Sequence, residues 1–122
     1  MRTAWALDVP AGCPGCATGF GAWPAYLRAN APTRSRWGLL MTTRDQTISQ
    51  YFGVNQPELA TRTLAIRDGM AAGTNQAAFV IDSAAHVLTG GPTAPMTAGG
   101  VRLGDWIRDF ATASPPWGSV GP

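Results

Sequence analysis

Residues 3–16 read Thr3-Ala4-Trp5-Ala6-Leu7-Asp8-Val9-Pro10-Ala11-Gly12-Cys13-Pro14-Gly15-Cys16. The run from Thr3 to Val9 is short, mostly apolar and bounded by Pro10 and Gly12, which is the pattern of a strand. Pro14 stands where a proline suits the first turn of a helix. Beyond it Phe20, Trp23, Tyr26 and Leu27 recur at helical spacing. Gly19, Gly21 and Pro24 weaken that helix, and Pro24 is expected to kink it by removing an internal hydrogen bond. Asn30-Ala31-Pro32 ends it. The only two cysteines of the chain therefore fall at a strand-to-helix junction, three residues apart.

Outward from this junction the pattern alternates. Arg36 to Thr42 (RWGLLMT) reads as a second strand. Asp45 to Phe52 is helical and is stopped by Gly53. Asn55-Gln56-Pro57-Glu58 has the form of a capping box, with the acid three residues after the cap, and starts a helix to about Arg67. Asp68-Gly69 closes it, and Met70 to Gln76 reads as a loop. Ala77 to Asp82 (AAFVID) is a buried-strand run. Ser83-Ala84-Ala85 reads as a tight turn into His86-Val87-Leu88-Thr89, giving an antiparallel hairpin. Gly90 to Gly100 is a Gly/Pro/Thr loop in which the glycine pairs read as hinges. Leu103, Trp106, Ile107 and Phe110 fall at i, i+3, i+4 and i+7, so the last helix is amphipathic. Ser114-Pro115-Pro116 stops it, and the tail over about 114–122 is expected to be flexible.

Long helical connections between the early strands imply parallel pairing. The expected architecture is α/β, a central mixed β-sheet of about four strands flanked by helices, in a single domain over 1–122. Hydrophobic content of 45% in 122 residues suffices for one core. Five tryptophans are many for this length, and most are expected in that core, with Trp117 as a packing anchor or interface contact.

Composition also narrows the function. Formal net charge is only +2, and every basic side chain is an arginine. The arginines are spread along the chain and only Arg34-Ser35-Arg36-Trp37 is dense, so they read as solvated surface charge and not as a nucleic-acid face. No run approaches the roughly 18 apolar residues of a membrane span. The opening Met1 to Asp8 is too short for a secretory signal, so the chain as written is expected in the cytoplasm. A periplasmic domain of a longer chain is the alternative. In a reducing compartment a lone cysteine pair points to redox or metal work. Zinc wants four ligands, and two cysteines plus His86 do not make a site. His86, the only histidine, reads as a solvated imidazole at a hairpin edge.

The order of elements and the dithiol together resemble the thioredoxin-like superfamily, in its redoxin or thiol–disulfide oxidoreductase form. TAWALDV followed by Cys13-Pro14-Gly15-Cys16 resembles that family's strand-to-helix junction. FVID, a short turn and HVLTG resemble the redoxin hairpin that packs behind the dithiol, and Phe52-Gly53-Val54 resembles the helix end that precedes it. The resemblance covers about residues 3–112. It implies reversible thiol–disulfide exchange with a protein or small-molecule partner and no bound cofactor. The physics agrees with it. A helix N-terminus carries about half a positive charge, and a cysteine there can have its pKa lowered to about 3.5–7.5 from about 8.5. Cys13 is then expected exposed, as the attacking thiolate, with Cys16 one turn below as the resolving thiol. Pro14 and Gly15 set the local geometry.

The chain departs from the family at several positions. The place of the usual cis-proline is taken by Asn75-Gln76, which are expected to line the substrate groove instead. The family's helix proline would fall at Gly21, and Pro24 comes three residues later. The buried acid's place is taken by Leu7, which leaves the neighbouring Asp8 as the candidate proton acceptor for Cys16. A peroxiredoxin-like peroxidase, the second reading, wants a threonine three residues before its cysteine, where Pro10 stands. A non-catalytic accessory domain of the same fold is the third reading.

Overall fold

The computed structural model describes residues 8–18, 20–32, 35–71, 75–86, 96–113 and 117–122. After Cys13 come two short 3-10 segments, Pro14–Ala17 and Phe20–Ala22. Then follow α1 (Trp23–Asn30), β1 (Trp37–Thr42), α2 (Gln46–Phe52), α3 (Gln56–Ala71), β2 (Gln76–Ile81), β3 (Thr97–Ala98), β4 (Val101–Arg102) and α4 (Leu103–Thr112). The class is mixed α/β. The expected four-stranded central sheet is not found among the described residues. They form two separate two-stranded sheets, β1 with β2 and β3 with β4.

β1 and β2 are parallel, in register from Trp37↔Gln76 to Thr42↔Ile81. Parallel strands need a long crossover, and α2 with α3 supplies it. β2 is the spine of the molecule. Gln76 is 2% exposed and Ala77, Ala78, Phe79 and Val80 are fully buried. An uninterrupted apolar run is what a strand covered on both faces requires. On one face Ala78 and Val80 pack with Met70, Leu64 and Ile66 of α3 and Met41 of β1. On the other, Ala77 and Phe79 pack with Leu103 and Trp106 of α4, Ala98 of β3 and Leu40 of β1. Trp106 and Phe79 meet edge-on at 5.7 Å, and Trp117 lies 5.6 Å from Trp106 and 5.4 Å from Phe110.

The tail, expected from the sequence to be flexible, lies over 117–122 along the edge of β2 away from β1. Val80 N–H donates to Val120 O at 3.0 Å and Val120 N–H to Ala78 O at 2.9 Å. Ala78 N–H donates to Ser119 Oγ at 3.0 Å, and Trp106 Nε1 to Gly118 O at 2.7 Å. Buried strand amides need partners, and this segment supplies them.

The helices start and stop for local reasons. Asp45 Oδ1 accepts the Ile48 amide at 2.8 Å as the N-cap of α2, and Gly53 closes it at φ 65°, where a glycine carries no steric penalty. Asn55 Oδ1 accepts the Glu58 amide at 2.8 Å at the start of α3. Half of the capping-box expectation is met there, and the Glu58 side chain goes to Arg62 instead. α3 runs to Ala71, past the expected stop at Asp68-Gly69, since Met70 is 5% exposed and its burial against β2 holds the last turn. Gly99 (φ 54°) and Gly100 (φ 78°) form the turn of the small β3–β4 hairpin. Two consecutive left-handed residues are what a two-residue hairpin turn demands, so this pair is a turn and not a hinge. In the amphipathic helix α4, Leu103 and Trp106 are buried as expected, whereas Ile107 is 40% exposed.

At the other end of the chain, the expected strand Thr3–Val9 lies outside the described residues except for Asp8 and Val9, which are not in a strand. Of the expected hairpin strand, His86 is in a bend and Val87 to Thr89 lie outside the described residues. The helix read through Phe20 and Leu27 begins only at Trp23, with Pro24 in its first turn. Pro24 starts α1 and does not kink it, because a first-turn amide has no intrahelical partner to lose.

Candidate functional site

Cys13 and Cys16 are joined in a disulfide, S–S 1.98 Å with Cα atoms 5.3 Å apart. The chain is brought there by successive tight turns. Cys13 N–H donates to Pro10 O at 2.9 Å, Cys16 N–H to Cys13 O at 3.0 Å and Thr18 N–H to Gly15 O at 3.1 Å. Pro14 opens the four-residue 3-10 segment, where its missing amide costs nothing. Gly15 sits close to the second 3-10 segment: a Cβ there would lie 3.0 Å from the Ala22 Cβ. At Gly12 it would lie 3.6 Å from Tyr26 Cε2. The disulfide turn is thus packed against the start of α1.

Two expectations about the cysteines are corrected. Cys13 is not exposed: both cysteines are 6% accessible. Nor do they stand at the tip of an α-helix. The segment is one 3-10 turn, and the half-charge of an α-helix comes from several aligned turns. Glycines at 12, 15, 19 and 21 give the sequence no strong α-helical preference here, and the described segments Pro14–Ala17 and Phe20–Ala22 are both 3-10.

Of the remaining expected site residues, Pro14 and Gly15 are exposed on the turn, and Asp8 is exposed with no hydrogen bond to either cysteine among the described residues. Asn75 is occupied with the start of β1, its Nδ2 donating to Ser35 O at 3.1 Å and its carbonyl accepting from Trp37 N–H at 2.9 Å. Gln76 points into the interior. Its Nε2 donates to Pro24 O at 2.9 Å, and its buried Oε1 has no hydrogen-bond partner among the described residues. It therefore ties the amino end of β2 to the helix that follows the dithiol and does not line an open groove.

A second group of polar side chains lies at the opposite, carboxyl end of the strands. His86 Nδ1 is 2.9 Å from Asp45 Oδ2. Thr43 Oγ1 donates to Asp82 Oδ1 at 2.6 Å, and Arg44 Nε donates to the same oxygen at 2.8 Å. The Thr43 hydroxyl first, and Arg44 second, hold the Asp82 carboxyl below its usual range. His86, expected as a solvated imidazole, is 46% exposed and is also paired with Asp45, which no local pattern in the sequence indicates. The available signal was that β1 and β2 both end in polar residues, Thr42-Thr43-Arg44-Asp45 and Asp82-Ser83, and parallel strands bring such ends together.

A cavity of about 390 Å³ is lined by Arg67, Asp68, Ala71, Gly99, Ser119, Val120 and Gly121, and so by neither the cysteines nor His86. Among the described residues no three metal-ligating side chains converge, and no helix is long and apolar enough to cross a membrane. No family model, no curated protein and no solved structure matches this chain.

Proposed function

We propose that this chain carries out reversible thiol–disulfide exchange through Cys13 and Cys16. The observation that carries the reading is the bonded pair itself. The chain's only two cysteines are held three residues apart by backbone turns, with their Cα atoms 5.3 Å apart. In the reduced form, the Cys13 thiolate attacks a partner disulfide and one partner thiolate leaves. Cys16, deprotonated in turn, attacks Cys13 Sγ, releases the second partner thiol and forms the Cys13–Cys16 bond. Two electrons pass to the partner, and a reductase or partner dithiol returns them. Because both cysteines are only 6% accessible, the turn over 10–18 must open for a partner to reach them.

The thioredoxin-like assignment is part of the same proposal. CPGC, FVID and the order strand, two helices, strand over 37–81 support it. The division into two small sheets does not.

The burial of the disulfide favours one other reading, an accessory domain in which the bond is a staple. Two measurements separate them. Exchange predicts that the wild type accelerates insulin reduction by dithiothreitol and that Cys13→Ser does not. It also predicts a measurable equilibrium with glutathione, read by thiol alkylation. Equal insulin reduction by wild type and Cys13→Ser would end the proposal.

A further inference from the structure

We propose that His86, oriented by Asp45, is a nucleophile at a second site, and that its Nε2 accepts a phosphoryl group from a small phosphoryl donor. The site is built where the two parallel strands end. β1 continues into Thr43, Arg44 and Asp45, and β2 continues into Asp82, Ser83 and then His86. The carboxyl edge of parallel strands is where open α/β sheets gather ligands.

Each part is held in place. Asp45 Oδ1 is taken up by the Ile48 amide at 2.8 Å, which is all that capping α2 requires. The second oxygen is surplus to the cap and meets His86 Nδ1 at 2.9 Å. An ionised carboxylate only accepts, so Nδ1 must be the donor, and in the neutral ring the lone pair then sits on Nε2. The carboxylate side chain is 9% exposed and the imidazole 46%, so the orienting group is inside and the reactive ring is reachable from solvent.

The loop carrying His86 is tied to β1 and its extension. Arg44 N–H donates to Ser83 O at 3.0 Å, and Thr42 Oγ1 donates to Ala85 O at 2.9 Å. Ala85 N–H donates to Ser83 Oγ at 3.1 Å. Asp82 fixes Arg44 through Nε at 2.8 Å and through its carbonyl to Nη2 at 3.3 Å. The Arg44 side chain remains 51% exposed, with donors to spare for anionic oxygens. Arg44 adjoins Asp45 in the chain and is anchored at the same strand edge, so an anionic phosphoryl group suits this edge better than a neutral ester.

The step balances without a co-reactant. With phosphoramidate in its N-protonated form, the Nε2 lone pair forms the new N–P bond, the donor's P–N bond breaks, and the –NH3+ group leaves as ammonia with that bond's electron pair. The Nδ1 proton stays where it is, and the positive charge that develops on the ring is met by the Asp45 carboxylate.

The test treats the full chain with phosphoramidate and follows phosphohistidine by ³¹P NMR and intact mass. The expected result is a single phosphoryl group on His86 Nε2, formed about tenfold or more faster than on N-acetylhistidine, the scale on which an orienting partner acts. Asp45→Asn keeps the N-cap of α2. Its amide donates to Nδ1, moves the ring proton to Nε2 and brings the rate down to that of N-acetylhistidine. A wild-type rate no faster than N-acetylhistidine overturns the proposal even if the variant fails to fold. Equal rates in wild type and a folded Asp45→Asn overturn it as well.

Discussion

Reducing the Cys13–Cys16 bond is expected to cost the fold about 2 kcal/mol and no more. The bond closes a loop of only four residues, Cys13 through Cys16. Loop-closure entropy for that length is about −6 cal/mol/K, which at 25 °C is about 2 kcal/mol lost from the unfolded state's freedom. The freed thiols are buried, and buried thiols behave as small hydrophobes, so no large desolvation cost is added. For a domain of 122 residues this is a fall in Tm of about 8 °C. By linkage the fold stabilises the disulfide by the same amount, which is about 40 mV in the two-electron couple. Urea unfolding of the oxidised protein and of the protein in excess dithiothreitol measures the difference directly, with the m-value unchanged. Global unfolding on reduction would show a structural staple and refute the exchange reading. Identical midpoints would refute the loop-entropy reasoning.

Gly38→Ala is expected to destabilise by about 1–2 kcal/mol. Its Cβ would come within 3.0 Å of Trp106 Cη2, and overpacking at about 1–3 kcal/mol outweighs the backbone gain of about 0.4–1 kcal/mol; a urea midpoint at or above wild type would contradict this. Ser119→Ala leaves the buried Ala78 amide without its 3.0 Å partner, an expected loss of about 1–3 kcal/mol; hydrogen exchange at that amide, unchanged in the variant, would count against the docked tail. Asp82 stabilises the native state while ionised, since Thr43 and then Arg44 hold its carboxyl below the ordinary range. That contribution is complete above about pH 5 and is lost as the pH falls through and below the ordinary aspartate value of about 3.9. Asp82→Asn should flatten the acid limb of the stability profile, and a variant that still loses stability as steeply as wild type would exclude this pairing as a cause.

Elements with a strong periodic or capping signal were legible. RWGLLMT and AAFVID are apolar runs with β-formers between polar ends, and they became β1 and β2 with boundaries moved by one residue. Asp45, Gly53 and Asn55 are punctuation that acts within three residues, and each stands at the helix end where the sequence puts it. The Cys13-Pro14-Gly15-Cys16 spacing foretold that the sulfurs would meet, since a turn of any helical kind brings residues three apart together. It did not foretell which kind. Glycine permits α, 3-10 and irregular turns alike, so a segment with glycines at 12, 15, 19 and 21 has its conformation chosen by what it packs against. Here that is Ala22 and Tyr26. The tail shows the same limit. Trp117 to Pro122 has no period, and only the unpaired edge of β2 gives Ser119 and Val120 their partners.

Asp45 and His86 were hidden for a different reason. They are 41 residues apart, and a pair at that distance carries no local signal. What joins them is the parallel register, because β1 and β2 must end on the same edge if Trp37 pairs with Gln76. The same register separates the two sites. Gln76, at the amino end of β2, is bonded to Pro24 beside the dithiol segment, whereas His86 lies beyond the carboxyl end. Six strand residues at about 3.3 Å each put on the order of 17 Å between the ends of β2. Between them stands the most completely buried stretch of the chain, which is the part least able to shift. Opening the turn over 10–18 therefore leaves the Asp45 cap and the His86 ring undisturbed, and the chemistry at each end of β2 stands or falls by itself.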